Sequence, residues 1–239
     1  MTTVEMLRQP HRPVPFRQQG PEHFAQERPT LFYSAEIDAR MGSLADQVVE
    51  DYGLNVPNLF PLADGAIHTA RLLKDKLKAR GMNVEIYPMK ATSRTNGMRE
   101  SENGKVQIVP SLYEMTFDIN RPPLIVEDLL DSGLTLTTVR RLFEQYFEFI
   151  PQNPRLGDHI KPRILTLLEK ISEEGPKYPV ELNYVGWKIP AKLHWVEGFG
   201  MDTDDDGRDN ENIIVRNDLQ KAMMLEELHK GLTGLRDGK

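Results

Sequence analysis

Pro123-Leu-Ile-Val-Glu-Asp-Leu-Leu-Asp-Ser-Gly-Leu-Thr-Leu136 is the stretch on which the fold depends. Residues 123–126 are apolar without alternation, which predicts a short strand of a parallel sheet that is covered on both faces. Glu127 and Asp128 follow directly. Two carboxylates at the end of a buried strand cost free energy unless they meet ligands. We therefore expect them at the carboxyl edge of the sheet, where open α/β proteins bind ligands.

The residues after this strand form a turn that suits a phosphate group. Asp131-Ser-Gly-Leu-Thr135 combines a flexible glycine with two hydroxyl side chains, and a predicted helix follows it. The first N–H groups of a helix are free and its N-terminus carries a partial positive charge, so both favour an anion. Acids that suit hydroxyls or a metal ion, followed by such a turn, indicate a sugar-phosphate site.

Composition restricts the class of protein. The 239 residues can bury a substantial core, and their formal net charge of -6 disfavours a nucleic-acid surface. No stretch approaches the roughly 18 consecutive apolar residues of a membrane span, and the N-terminus lacks the apolar segment of a secretory signal. The chain has no cysteine, which excludes disulfides and a thiolate nucleophile. We expect a cytoplasmic protein that binds neither nucleic acid nor membranes.

Repeated strand and helix patterns predict a twisted parallel α/β sheet. Apolar spacing predicts a first helix at 33–52 with Ser34 as its N-cap, and a second that ends at 80–81. The apolar face of the second helix comprises Ile67, Ala70, Leu73 and Leu77, and that of a third comprises Val139, Leu142, Phe143, Tyr146 and Ile150. Further strands are predicted at 56–62, 84–89, 105–109, 163–169, 184–186 and 213–215.

Three other segments have distinct compositions. Residues 1–29 contain prolines at positions 10, 13, 15, 21 and 29 and show no period, which predicts an extended arm. Residues 90–104 are polar and long enough for a disordered loop or a functional lid. Residues 218–239 comprise a predicted helix at 218–228 and a tail. The central domain is therefore expected at 30–217.

The stretch at 126–135 resembles the phosphoribosyl-pyrophosphate motif of type I phosphoribosyltransferases, in particular the hypoxanthine-guanine enzymes of purine salvage. Its apolar strand, two acids, two apolar residues, acid and Ser-Gly-x-Thr follow the order of that motif. Later segments that match the family in order and type are Lys170, Val185-Gly-Trp-Lys-Ile-Pro190, 196–202 and Arg208-Asp209. The resemblance covers roughly 31–215 and implies a parallel sheet flanked by helices, with a small base-binding hood built partly from 30–55 and 180–217.

The same resemblance implies an activity. Members transfer the 5-phosphoribosyl group of phosphoribosyl pyrophosphate to a purine and release pyrophosphate. The resemblance implies a 6-oxopurine such as hypoxanthine or guanine as acceptor, Mg²⁺ as cofactor, and a homo-oligomer.

Roles for individual residues come from the resemblance as well. Glu127 and Asp128 would bind the ribose hydroxyls, and Asp131 would act as general acid or base at the purine N7. The residues of the loop that would hold the 5'-phosphate are Ser132, Gly133, Leu134 and Thr135.

For the base, Lys170 would donate to the 6-oxo group, Trp195 would stack on the ring and Val196 would contact it through its backbone. Gly65 and Arg208 would meet pyrophosphate, and Asp202 would bind Mg²⁺. Structural alternatives are a solvated lysine at a strand end for Lys170 and core or interface packing for Trp195. The acids of 202–207 also match the first half of a calcium-binding loop, but Ile213 occupies the twelfth position, where that loop needs glutamate.

Two departures from the family pattern concern pyrophosphate and the lid. Asp64 stands where the family usually carries a basic residue, and it would repel pyrophosphate unless Mg²⁺ lies between them. Ala91-Thr92 replace the Ser-Tyr pair of the family's lid, and Ser93 could substitute only through a shift of one residue. Two hypotheses follow. One is an active enzyme with a modified lid and a second metal at Asp64, and the other is a related protein that senses a nucleotide without turning it over. An enzyme for a different base is a third.

Overall fold

The chain is described by a computed structural model over residues 30–92, 107–148, 161–172, 174–175, 177–191, 193, 196–201 and 208–215. Several predicted features lie outside these residues: the arm at 1–29, most of the loop at 90–104, Ile150, Trp195, Asp202 and the helix at 218–228. The helices are α1 (Ser34–Tyr52), α2 (Ala66–Lys78) and α3 (Leu134–Glu148). The strands are β1 (Thr30–Phe32), β2 (Asn58–Ala63), β3 (Glu85–Ile86), β4 (Met89–Thr92), β5 (Gln107–Val109), β6 (Pro123–Leu130), β7 (Arg163–Ile171), β8 (Tyr184–Pro190), β9 (Val196–Glu197) and β10 (Ile213–Val215).

The main sheet has the strand order β5-β4-β2-β6-β7-β8, and β3 pairs with β2 at its N-terminal end. The pairs are parallel except for β4 with β5, which is antiparallel. This confirms the predicted α/β fold, a mostly parallel sheet flanked by helices, and its one antiparallel pair lies at an edge of the sheet. No helix in the described part of the chain is long and apolar enough to cross a membrane.

Both faces of the sheet are covered by helices. Leu124 and Val126 of β6 belong to the core cluster that contains the buried sides of α1 and α2. Ile125, between them, belongs to a second cluster with Val139 and Phe143 of α3. Successive residues of a strand point to opposite faces. A strand with a packed helix layer on each side must therefore be apolar at every position, as β6 is at its start.

A second, smaller antiparallel sheet has the order β1-β10-β9. Ile214 of β10 lies opposite Thr30 of β1 and Glu197 of β9. Phe32 stacks on Trp187 of β8 with their ring centroids 4.1 Å apart. The small sheet therefore packs on the edge strand of the main sheet.

The central strand extends further than predicted. It was expected at 123–126, whereas β6 continues to Leu130 because β7 pairs with it along its whole length, including Glu127 with Thr166 and Leu130 with Glu169. Glu127 and Asp128 thus lie inside the strand instead of after it. Pairing holds their backbones rigidly, which a loop would not do.

Other boundaries differ for local reasons. The strand expected at 84–89 is split into β3 and β4 around Pro88, which has no N–H to donate to the ladder. Residues 90–92 belong to β4 instead of the predicted loop. Tyr33, not Ser34, is the N-cap of α1, and its N–H donates to the Glu36 carboxylate at 2.9 Å. The second helix ends at Lys78 instead of 80–81, with Ile67 only partly buried, and β7 and β8 run longer than expected. Of the strand predicted at 105–109, the described residues Gln107–Val109 form β5.

Candidate functional site

The carboxyl ends of β2 and β6 approach each other closely at one edge of the sheet. Gly65, in the turn after β2, lies directly against Asp128, and a Cβ at this glycine would overlap the Asp128 carboxylate. Asp128 is held by its own strand as well, because its Oδ1 accepts a hydrogen bond from the Leu129 N–H at 2.9 Å. Glycine is therefore required at position 65 for the two strand ends to share one site.

Of the two adjacent acids Glu127 and Asp128, Glu127 is the one whose charged form is disfavoured by its surroundings. Burial raises the pKa of the Glu127 carboxyl well above its usual range, and the neighbouring Asp128 adds to the increase through its charge and a side-chain hydrogen bond. Within the described residues, Glu127 Oε2 is buried and accepts no hydrogen bond. Two hydroxyl donors or a cation would stabilise this pair, so its chemistry fits a sugar diol.

The turn after β6 is preformed. Gly133 has a φ of 84°, which favours glycine, and a Cβ there would overlap the Tyr178 carbonyl oxygen. The Tyr178 N–H donates to the Ser132 carbonyl at 2.9 Å, and the Leu134 N–H lies 3.4 Å from Ser132 Oγ. Leu134 and Thr135 begin α3. The turn and the N-terminus of a helix thus form one unit, as an anion site requires.

The contact of Tyr178 with this turn was not predicted. Residues 177–178 belong to the connection between β7 and β8, and nothing local in their sequence indicates that they lie on the turn after β6. The indication available in the sequence was the glycine at position 133, because glycine is the usual residue where the backbone is left-handed or closely approached by another segment.

Asp131 and Lys170 are brought together from different elements. Asp131 lies in the turn after β6, and Lys170 lies near the end of β7. Lys170 Nζ is 3.4 Å from Asp131 Oδ2, with 4% of the lysine side chain and 73% of the aspartate side chain exposed. The lysine is therefore embedded in the protein, whereas the acid is open to solvent and to a ligand.

Asp64 has two cationic neighbours. Lys90 Nζ lies 3.5 Å and Arg208 Nη1 lies 3.6 Å from Asp64 Oδ2. The sequence places Asp64 where the family usually carries a basic residue, and in the structure the charge of Asp64 is offset by these two groups. Lys90 was missed as a candidate site residue because it was expected in the loop at 90–104. Its place in β4, opposite Ala63, brings it to the turn.

The segment 196–201 packs on the same turn. Gly200 approaches Gly65 so closely that a Cβ would lie 2.6 Å from the Gly65 carbonyl oxygen and 2.9 Å from His68 Cδ2. Val196 is buried in β9, opposite Val215. Trp195 and Asp202, which flank this segment, lie outside the described residues. In the part of the chain that is described, no group of three or more His, Asp or Glu side chains could hold a metal ion.

No family model matches the chain, but comparison with known proteins finds hypoxanthine-guanine and hypoxanthine phosphoribosyltransferases among its relatives. The chain is 31% identical over 173 residues to the hypoxanthine-guanine phosphoribosyltransferase of Bacillus subtilis. This match covers 72% of this chain and 83% of that protein. The chain is also 30% identical over 171 residues to the hypoxanthine phosphoribosyltransferase of Escherichia coli. This match covers 70% of this chain and 83% of that protein.

Solved structures agree at the level of the fold. The crystal structure of a hypoxanthine phosphoribosyltransferase from Staphylococcus aureus superimposes with a TM-score of 0.62 at 24% identity, covering 82% of this chain and 94% of that one. Residues 126–135, which resemble the phosphoribosyl-pyrophosphate motif, lie on β6, the turn after it and the start of α3, at the carboxyl edge of the sheet. The chain belongs to the hypoxanthine-guanine phosphoribosyltransferase family of type I phosphoribosyltransferases, which are pentosyltransferases.

Proposed function

We propose that the protein is a purine salvage enzyme that transfers the 5-phosphoribosyl group of phosphoribosyl pyrophosphate to a 6-oxopurine, hypoxanthine or guanine, and releases pyrophosphate. The observation that carries this proposal is the 3.4 Å contact between Lys170 Nζ and Asp131 Oδ2. In a 6-oxopurine the oxygen O6 and the nitrogen N7 lie on the same edge of the base. A cation and an acid side by side match that edge, with Lys170 donating to O6 and Asp131 facing N7.

In this proposal the ribose is held by β6. The carboxylates of Glu127 and Asp128 accept hydrogen bonds from the two ribose hydroxyls, which supplies the donors that Glu127 Oε2 needs. The turn Ser132 to Thr135 binds the 5'-phosphate through N–H groups and hydroxyls at the start of α3. Because β7 pairs with β6 at Glu127 and again at Leu129 and Leu130, the sugar is held in a fixed position relative to Asp131.

The chemical step follows from this arrangement. The base enters as the tautomer that carries its proton on N7, and the lone pair of N9 forms the bond to C1 of the ribose while the bond from C1 to the pyrophosphate oxygen breaks. The proton on N7 passes to the Asp131 carboxylate. Positive charge develops on the ribose ring, close to the acids of β6, which favour it.

Mg²⁺ belongs to the proposal as the cofactor that, when bound, offsets the charge of pyrophosphate. The chemistry of Glu127 and Asp128, two adjacent oxygen donors with one buried acceptor position, fits a hard cation as well as a diol. Asp202 is proposed as a further ligand, with Trp195 and Val196 against the base and Gly65 and Arg208 toward pyrophosphate.

We propose the same organisation of the chain as the sequence predicts. Residues 30–217 form the catalytic domain, and the small sheet of β1, β9 and β10 serves as the base-binding hood. The arm at 1–29 and the segment 218–239 flank this domain. A homo-oligomer is part of the proposal and is measured by size-exclusion chromatography with light scattering.

The decisive experiment is incubation of the protein with phosphoribosyl pyrophosphate, Mg²⁺ and each of hypoxanthine, guanine, xanthine and adenine. We expect equimolar nucleotide and pyrophosphate with hypoxanthine or guanine and far less product with adenine. A second candidate, a related protein that binds a nucleotide without turnover, is favoured by Asp64 and by Ala91-Thr92 in place of the family's lid pair. Tight binding of phosphoribosyl pyrophosphate without product would support that second candidate.

A further inference from the structure

We propose that Lys90 is a pyrophosphate-binding residue of this protein and that Asp64 is an internal competitor for it. The Asp64 carboxylate holds Lys90 and Arg208 in the absence of ligand, and the pyrophosphate group takes its place when substrate binds. The inference rests on the proposed function in one respect, which is the identity of the anion.

The three charged groups share one oxygen atom. Lys90 Nζ and Arg208 Nη1 lie 3.5 Å and 3.6 Å from Asp64 Oδ2. The side chains are 61% exposed for Lys90, 35% for Arg208 and 47% for Asp64. Ion pairs that are this exposed contribute little to the stability of a fold, because water screens them. A ligand with more negative charge can therefore displace the carboxylate without unfolding anything.

The fold brings the two cations to Asp64 from separate segments. In the parallel pair of β4 with β2, Lys90 lies opposite Ala63, the residue that precedes Asp64. Arg208 is placed by the segment after β9, since its carbonyl accepts a hydrogen bond from the Gly200 N–H at 3.1 Å. Gly200 in turn lies against the Gly65 carbonyl. The cations thus face the turn after β2 from two sides.

This turn adjoins the acids that are proposed to bind the ribose. Gly65, the residue after Asp64, lies against the Asp128 carboxylate. In phosphoribosyl pyrophosphate the pyrophosphate is attached to C1, beside the 2-hydroxyl that such an acid would bind. The leaving group therefore comes to lie at the turn, within reach of Lys90 and Arg208.

The difference in negative charge between pyrophosphate and the Asp64 carboxylate determines which of them binds Lys90 and Arg208. Asp64 offers one negative charge to the two cations, whereas pyrophosphate carries several and presents more oxygen acceptors. The family usually carries a basic residue in the turn at the position of Asp64. In this protein Lys90 of the neighbouring strand β4 supplies that positive charge. The alternative, a metal ion recruited by Asp64, is disfavoured by the two cations that already lie within 3.6 Å of Oδ2.

The test measures the binding of inorganic pyrophosphate to the full-length protein by calorimetry, once with EDTA and once with Mg²⁺. We expect Lys90→Gln to weaken binding about tenfold in both conditions, as loss of a hydrogen bond to a charged group does, and Lys90→Arg to stay near the wild-type value. Asp64→Asn should tighten binding several-fold in both. The matched control is Lys74→Gln, since Lys74 forms a comparable exposed pair with Glu85 at 3.4 Å and should leave binding unchanged.

Other outcomes overturn the proposal. They are a wild-type protein that does not bind pyrophosphate, a Lys90→Gln variant that binds as the wild type does, and an Asp64→Asn variant with unchanged or weaker affinity. Weakening by Asp64→Asn with Mg²⁺ alone would assign a metal to Asp64 instead. The result is separable from the proposed function. A protein that binds pyrophosphate as expected but forms no nucleotide refutes only the enzyme, and a turning-over enzyme indifferent to Lys90→Gln refutes only the role of Lys90.

Discussion

Lys170 Nζ lies 3.4 Å from Asp131 Oδ2, and the two side chains differ widely in exposure, 4% against 73%. A lysine that is buried in a sheet has few rotamers open to it, so its ammonium group is fixed by the strand. The acid beside it remains free to meet a ligand. The pair therefore combines a rigid donor with an accessible proton acceptor, and each can be tested separately.

Replacing Asp131 with Asn should lower kcat by about 10²- to 10⁴-fold, the usual contribution of a general acid or base. The amide keeps the size of the side chain but cannot accept the N7 proton, so nucleotide binding should change little. Steady-state kinetics and nucleotide titration measure both effects. Asp46→Asn is the control, because Asp46 of helix α1 is another exposed acid with a cationic partner, Arg80 at 2.6 Å, and has no role in the proposed site. Equal turnover in the Asp131→Asn variant would remove this residue from catalysis.

Replacing Lys170 with Met should weaken binding of hypoxanthine and guanine by roughly 10- to 100-fold, because a hydrogen bond to a charged donor contributes about 1.5–3 kcal/mol. Adenine, which has no 6-oxo group, should be affected much less. Inhibition or binding constants for the three bases provide the measurement. Lys188→Met serves as control, since Lys188 pairs with Glu169 at 3.2 Å on the adjacent strand β8. An unaltered preference among the bases would contradict the role of Lys170.

Glu127 should make the stability of the ligand-free protein depend on pH. Its folded-state pKa lies well above the unfolded value, so the folded protein binds the proton more tightly. The contribution of Glu127 to stability is complete below the unfolded pKa of about 4.3 and is lost as the pH rises through the folded pKa. Glu127→Gln should therefore raise Tm at neutral pH, and this difference should shrink toward pH 4.

Thermal unfolding across this pH range provides the measurement, and Glu114→Gln provides a control of opposite sign. Hydrogen bonds from the Ser111 N–H and hydroxyl lower the pKa of the exposed Glu114 carboxyl, so its contribution is lost as the pH falls. Glu127→Gln should also weaken binding of phosphoribosyl pyrophosphate, because the amide is a poorer acceptor for the ribose hydroxyls. A Tm that is lower than the wild-type value at neutral pH would show that the carboxylate is satisfied in the free protein.

Gly133→Ala should destabilise the turn after β6 beyond the cost of its backbone conformation. A non-glycine residue at positive φ costs about 1–2 kcal/mol, and here the Cβ would also overlap the Tyr178 carbonyl oxygen. Gly81→Ala isolates the first effect, because Gly81 has a φ of 83° and nothing within 4 Å of its Cβ position. We expect Gly81→Ala to lower Tm by about 2–4 °C per kcal/mol of destabilisation and to leave binding of phosphoribosyl pyrophosphate intact. Gly133→Ala should lower Tm more than Gly81→Ala does and should also weaken this binding. Equal effects of the two substitutions would show that the contact with Tyr178 does not position the turn.

Local chemistry explains what could be predicted. The unalternating run before Glu127 required a strand covered on both faces, and the small residues after Asp131 required a turn into a helix. Each of these inferences depends on neighbours within a few positions, where side-chain period and backbone preference act directly. One error was local, because Pro88 divided a predicted strand. Another was not, because pairing with the distant strand β7 extended β6 past the two acids.

The sequence alone determined the fold class, the strand that carries the acids and the turn that follows it, because hydrophobic period and turn chemistry are encoded in consecutive residues. Only the tertiary structure decided which distant groups meet. Lys170 reaches Asp131 from the next strand, Tyr178 covers Gly133 from the following connection, and Lys90 and Arg208 converge on Asp64. The register between strands and the packing of segments far apart in the chain set these contacts, and no local pattern records them.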